Sequence, residues 1–285
     1  MEIENLRNKI REVMGYARVL VQDYRHLKKF AKHLLAAAIK QMQGFTDVEL
    51  IQFLSTDPIG REIGYDHRPH PSIFSKVRER SDPQMLGDLI NALLHAKYKY
   101  KILTKIVQDS TDVDAYSRDD KEAHWGKRTV PKKRQSVKKE KVEDFFGYKL
   151  HLISDADGEM PLAISVVAGN HHDKKMFAQL FRYTKDNYRL GPNTKYLADS
   201  AMDSSDVKQC LRYNGLVPVI AINGRRWRKS EVPKDPDYGK RWSIEHIFSR
   251  LKEKFSMRTN RFIGIKKVKM HVYSCILAYL MTYLV

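Results

Sequence analysis

Cysteine is nearly absent: Cys210 and Cys275 are the only two in 285 residues. That excludes a disulfide scaffold and a cysteine zinc site, and a reducing cytosol fits. Long hydrophobic runs are missing as well. The opening MEIENLRNKIREV has no apolar core segment, so no secretory signal is expected. The closing MHVYSCILAYLMTYLV is apolar but only 16 residues long, with His271, Ser274, Thr282 and three tyrosines inside it. A membrane helix needs about 20 apolar residues, so a buried terminal helix is expected and no membrane partner. Acidic residues are scarce beside basic ones: 34 Asp and Glu face 52 Lys and Arg, for a net charge of +18 and a pI near 9.7. The excess is uneven, +4 over residues 1–100, +4 over 101–150, zero over 151–200 and +10 over 201–285. Such a balance favours a polyanion, because each phosphate neutralised releases condensed counterions. An anionic membrane or a merely solubilising surface is the alternative. Metal-ligand spacing is lacking too. His67 with His70, and His171 with His172, have no companion ligands and suit loops or turns. The chain contains no internal repeat.

What is present reads as two regions. A hydrophobic fraction of 42% supports a real core, in one large domain or two smaller ones. Residues 1–98 are predicted helical, with apolar residues at helical spacing through Leu6, Ile10, Val13, then Leu34, Leu35, Ile39, then Leu86, Leu89, Ile90, Leu93. STDPIG (55–60) and DHRPHPS (66–72) interrupt them, and Ser72 could cap a short helix over SIFSKVRER. Short helices with basic ends here would suit DNA binding.

Residues 99–285 form the second region. ILTKIVQD (102–109) reads as a strand. GKRTVPKKRQSVKKEK (126–141) carries eight Lys and Arg against one Glu. It is expected to be a flexible cationic loop that tracks a DNA backbone, Lys132, Lys133 and Arg134 among its contacts. FFGYKLHLIS (145–154), the turn DADG and MPLAISVVAG (160–169) make a hairpin. A helix over 173–186, a strand TKYLAD (194–199), a helix over 204–213 and a strand VPVIAI (217–222) follow. Next come the basic loop NGRRWRKSEVPKDPD, with Arg225, Arg226 and Trp227, a helix through Tyr238–Lys252, and C-terminal helices over 262–285. This order predicts an α/β fold: a ribonuclease-H-like mixed sheet flanked by helices, behind an N-terminal helical region. Trp125 and Trp227 sit among cations, placed either to stack on an unpaired base or to anchor a loop. RTNR (258–261) and IKKVKMH (265–271) extend the cationic surface, where phosphate positioning is plausible.

Three acids stand out. Asp109 and Asp199 close two predicted strands. Glu245 sits in YGKRWSIEHIFSRLK, where Tyr238, Arg241, Glu245 and Lys252 share an arc of about 60° on a helical wheel, beside an apolar flank. An amphipathic surface helix with ordinary charge pairing fits that geometry; so does an acid held among phosphate-binding cations. Converging carboxylates would bind two Mg²⁺ ions, with Mn²⁺ as a substitute. Arg241 and Lys252 would then clamp phosphate. Spacing alone does not single out these acids. Asp112 and Asp114 compete with Asp109, Asp173 and Asp203 look like helix caps, and Asp155 and Asp157 look like turn residues.

Five ordered motifs decide. Tyr238, Arg241, Glu245 and Lys252 match Y-x2-R-x3-E-x6-K without exception. QDST (108–111), FGYKLH (146–151), GNHHD (169–173) and LADSAMDSSDV (197–207) precede it in order. The chain resembles the DDE transposases of prokaryotic insertion sequences over roughly residues 100–260. The resemblance implies a ribonuclease-H-like core and a metal-dependent endonuclease and strand-transfer activity on double-stranded DNA, at terminal inverted repeats and at target. It implies Asp109, Asp199 and Glu245 as catalytic metal ligands, and Tyr238, Arg241 and Lys252 against transposon-end DNA. Only 45 residues separate Asp199 from Glu245, so the large β insertion of some relatives is absent. A homodimer in the DNA complex is expected, since two ends must meet, and a cytoplasmic, nucleoid-associated location follows. A catalytically inactive DNA-binding descendant, or another ribonuclease-H-like nuclease, is the alternative.

Overall fold

A computed structural model describes residues 3–23, 28–131, 140–224 and 231–285. The chain divides into a helical unit, 1–97 with 249–259 and 266–285, and a sheet unit, 98–248 with 260–265.

The helical unit contains α1 (Ile3–Asp23), α2 (Lys28–Gln43), α3 (Asp47–Thr56), α4 (Pro58–Glu62), α5 (Ser72–Arg80), α6 (Gln84–Tyr98) and most of α10 (Ile265–Tyr283). The apolar periodicity sets its core: Leu6, Ile10, Val13, Leu35, Ile39, Leu86 and Leu93 are all buried. Thr46 and Glu49 form a capping box at the start of α3, satisfying two otherwise orphaned N–H groups. Ser72 opens α5 but does not cap it; the cap position is Pro71, with no side-chain bond. The terminal helix α10 is buried on nearly all sides, from Val268 through Met281, as its apolar sequence predicts. It groups with the N-terminal helices, whereas the sequence reading placed 262–285 with the catalytic domain. Its all-round apolar surface needs neighbours on every side, and its Lys9-bonded end shows where it finds them: that ammonium donates to the Thr282 and Val285 carbonyls at 3.1 and 2.5 Å. No described helix is long and apolar enough to cross a membrane.

The sheet unit holds β1 (Ile102–Asp114), β2 (His124–Pro131), β3 (Glu140–Asp155), β4 (Met160–Ala168), β5 (Arg189–Ala198) and β6 (Val217–Ile220). β1 runs antiparallel to β3 and parallel to β5, β3 pairs with β4, and β5 with β6. The order β4-β3-β1-β5-β6, with α7 (Asp173–Asn187) and α8 (Ser205–Tyr213) as crossovers, is a ribonuclease-H-like mixed sheet flanked by helices. The central β1 is covered on both faces: Ile106 and Val107 are fully buried, as a continuous apolar run at mid-sheet requires.

Two of the ordered motifs have a packing reason. A Cβ on Gly147 of FGYKLH would lie 2.2 Å from the Val113 carbonyl oxygen, so only glycine lets β3 approach β1 so closely. The N–H of Gly169, from GNHHD, donates to the Gly147 carbonyl at 2.9 Å.

One expectation is corrected. The basic run 126–141 is not loop throughout: residues 126–131 belong to β2, in register with β3 from Gly126 opposite Phe145 to Pro131 opposite Glu140. Pairing with a neighbouring strand overrides a polar, charged composition. Lys132, Lys133 and Arg134 lie outside the described residues, as do Arg225, Arg226 and Trp227.

Candidate active site

β1 and β5 bring two of the three acids side by side. They run parallel with Val107 opposite Leu197, so two residues further on Asp109 and Asp199 come up together, Asp199 just past its strand. Asp199 caps a short 3₁₀ turn, its Oδ1 accepting from the Ala201 N–H at 2.9 Å. The third acid, Glu245, lies in the first turn of α9 (Trp242–Ser249). Its apolar neighbours Ile244, Ile247 and Phe248 are buried, which leaves the Glu245 carboxylate on the rim, 42% exposed.

Arg241 joins them. Its Nη1 stands 3.2 Å from Asp109 Oδ2 and 3.6 Å from Glu245 Oε1. Burial pushes the Asp109 carboxyl well above its usual range, and the Asp199 and Glu245 charges push it further, against the Ser110 N–H and Arg241. Burial also raises Asp199, partly offset by the Ala201 N–H. Two neighbouring carboxylates that resist ionisation mark a functional site more often than a structural one. Tyr238 leans on Arg241, its phenol raised by burial and sensing the Asp199 and Asp109 charges.

The wheel reading of Tyr238–Lys252 is corrected. The segment is a 3₁₀ turn over Pro236–Arg241, the α-helix α9, then a π turn over Arg250–Lys254. Pro236 and Gly239 favour the tight start, and a change of helix type ends the 100° step between residues. Tyr238, Arg241 and Glu245 still converge because the fold gathers them. Lys252 falls in the helical unit. Trp242 is exposed, with the Arg241 guanidinium 5.2 Å above its ring. Trp125 is exposed too, already stacked under Arg118 at 4.5 Å.

Oxygen-only donors suit a hard divalent cation, and the mutual repulsion felt by Asp109 is what such an ion relieves. The donor chemistry therefore fits Mg²⁺ or Mn²⁺. As the side chains stand, no three His, Cys, Asp or Glu among the described residues are gathered around a single ion position. Arg241 supplies positive charge beside Asp109 and Glu245 instead.

Sequence reasoning missed several neighbours. Asp173, read as a cap, is the first helical residue after the cap His172. Its carboxylate faces His151 and Ser110. Lys149, inside FGYKLH, is near enough to lower both Asp173 and Asp199. The signal was there: Ser110, Asp112, Lys149 and His151 share one face of the β1–β3 pair by register.

The family described as "Transposase DDE domain" matches residues 101–281. Among solved structures, a piggyBac transposase synaptic complex with hairpin DNA is similar at a TM-score of 0.43 and 10% identity, over 88% of this chain and 65% of that one. The chain thus spans about two thirds of that structure's length. No curated protein matches.

Proposed function

The chain belongs to the transposase DDE-domain family, and on that premise we propose that it is an insertion-sequence transposase that cuts and joins DNA at the element's ends. The convergence of Asp109, Asp199 and Glu245 about Arg241 carries this reading. Asp109, Asp199 and Glu245 would hold two Mg²⁺ ions, or Mn²⁺ in their place, which supply activation of the attacking oxygen and stabilisation of the leaving one.

The remaining roles fall to the chain's own groups. Arg241, part-buried beside the acids, turns its fork to the scissile phosphate once the acids have another counter-charge. Tyr238 hydrogen-bonds a phosphate oxygen; it is not a covalent nucleophile. Water attacks the phosphodiester at the element's end, and the freed 3′-hydroxyl then attacks a phosphodiester of target double-stranded DNA, releasing the target's own 3′ oxygen. The cationic loops, Arg225, Arg226 and Trp227 in one and Lys132, Lys133 and Arg134 in the other, grip the DNA backbone. Lys252 joins them, the helical unit binds the terminal repeats, and two copies pair the two ends. The protein acts at the nucleoid.

The test is cleavage of DNA bearing the element's own terminus by purified protein with Mg²⁺. Asp109→Ala, Asp199→Ala and Glu245→Ala each abolish cleavage and keep DNA binding. Binding by the unaltered protein with no cleavage under any divalent ion would establish an inactive DNA-binding descendant instead.

A further inference from the structure

Lysine stands opposite lysine where β1 and β5 run side by side. Lys105 pairs with Lys195 across the two parallel strands, four residues before Asp109 and Asp199 respectively. Residues four apart share a face of a strand, so Lys105 lies about 13 Å from Asp109 along one face of β1. The 3₁₀ turn over Pro236–Arg241 reaches both the cations and the acids. At one end, Lys195 Nζ donates to Asp235 Oδ1 at 2.8 Å and to Asp237 Oδ2 at 2.6 Å, and Lys105 Nζ stands 3.6 Å from Asp237 Oδ1. At the other end, Arg241 Nη1 stands 3.2 Å from Asp109 Oδ2. Between them, Lys240 Nζ lies 3.4 Å from the Asp157 carboxylate, which also takes Lys105 at 3.1 Å. Four residues of 3₁₀ helix rise about 8 Å, and the long lysine and arginine side chains cover the remainder. All these residues belong to the sheet unit.

The ordinary explanation is a set of surface ion pairs that fasten a loop, each worth little. It does not account for the paired lysines. Like charges directly opposite in a sheet are destabilising, and both of these lie within 3.6 Å of one carboxylate, Asp237. Nor does it account for the polarity of the turn. Its acids meet the sheet's cations and its arginine meets the sheet's acids, a complementary pattern that sets register.

We propose that Asp237, seated on Lys105 and Lys195, is a positioning residue for Arg241. The seat holds the turn at its far end, so Arg241 and Tyr238 stay over the scissile phosphate when Arg241 leaves Asp109. This role rests on the reading of Arg241 as a phosphate clamp beside Asp109, Asp199 and Glu245.

The experiment is single-turnover cleavage of DNA bearing the element's terminus, by the full chain in excess with Mg²⁺, with folding checked by circular dichroism. Asp237→Asn is expected to lower the rate by about 10- to 100-fold. Because Asp237 acts through Arg241, the double variant with Arg241→Gln is expected to be no slower than Arg241→Gln alone. Lys195→Met is expected to repeat the loss, and Lys195→Arg, which keeps the charge, to recover most of it. An unchanged rate in folded Asp237→Asn, or losses that multiply in the double variant, overturns the positioning role and leaves the active-site assignment standing. If Asp237→Asn does not fold, the Lys195 pair decides: equal rates in folded Lys195→Met and Lys195→Arg overturn the role. Unaltered protein that binds this DNA and cleaves none of it overturns the assignment and the positioning role together.

Discussion

Asp57 in the helical unit and Asp109 in the sheet unit are almost equally covered, with side chains 11% and 15% exposed. They behave in opposite ways. Burial raises the Asp57 carboxyl, but the two-pronged hydrogen bonds of Arg7 at 3.1 and 2.9 Å, the Ile59 N–H and the Arg7 charge outweigh it, and the group is held below its usual range. Burial raises Asp109 as well, and there the neighbours include two more carboxylates. Similar side-chain exposure therefore hides different surroundings. At Asp57 the hydrogen bonds and charge of Arg7 outweigh desolvation. At Asp109 desolvation dominates, two further carboxylates add to it, and the Ser110 N–H and Arg241 offset only part of it.

That contrast can be broken in several places. The largest expected effect is on chemistry: Asp109→Asn lowers DNA cleavage by on the order of 10³-fold or more, while Asp57→Asn leaves cleavage per folded molecule unchanged. Gel assays on the two variants side by side check both halves, and a cleavage loss in Asp57→Asn would erase the distinction. On stability the order reverses. Asp57→Asn breaks a part-buried forked pair, at about 2 kcal/mol in a urea melt. Asp109→Asn removes repulsion and is expected to leave metal-free stability equal or higher.

A smaller effect is expected at Arg241. Arg241→Gln weakens binding to terminal-repeat DNA by about tenfold and lowers the salt slope of log K by about one, as for one lost phosphate contact. Binding measured across a salt series shows whether it does.

The smallest effect is in acid. Because the folded Asp57 carboxyl lies below the ordinary value of 3.8, its contribution is full above that pH and is lost as pH falls through the lower folded value. The stability of Asp57→Asn should therefore approach that of the unaltered protein below about pH 4. A gap that stays constant down to acid would mean the carboxylate charge is not what matters at Asp57.

Much of the sheet was legible because its signals are local. Alternation in FFGYKLHLIS and the turn DADG mark a hairpin whatever the rest of the chain does, and the hairpin is there. Asp199 is legible as a strand-end acid for the same reason, whereas Asp109, expected to close its strand, lies within β1, which pairs with β3 as far as Asp114. Tyr238 and Arg241 are legible through their motif, although the single regular helix drawn through them is not what forms. β2 is hidden because it opens into a run of eight cations and exists only by pairing with β3. Asp173 is hidden because an acid opening a helical run reads as a cap, and only its distance to His151 shows otherwise.

By itself, the order of residues determined the N-terminal helices, the β3–β4 hairpin, the charge that favours a polyanion, and the identity of the acids and cations. Periodicity, turn chemistry and composition act over a few residues and need no partner. Tertiary structure alone decided which acids lack counter-charge, where Arg241 points, and that α10 joins the helical unit. Those are outcomes of segments far apart in the chain coming within a few ångströms, and Coulomb energy and burial depend on that distance rather than on position in the sequence.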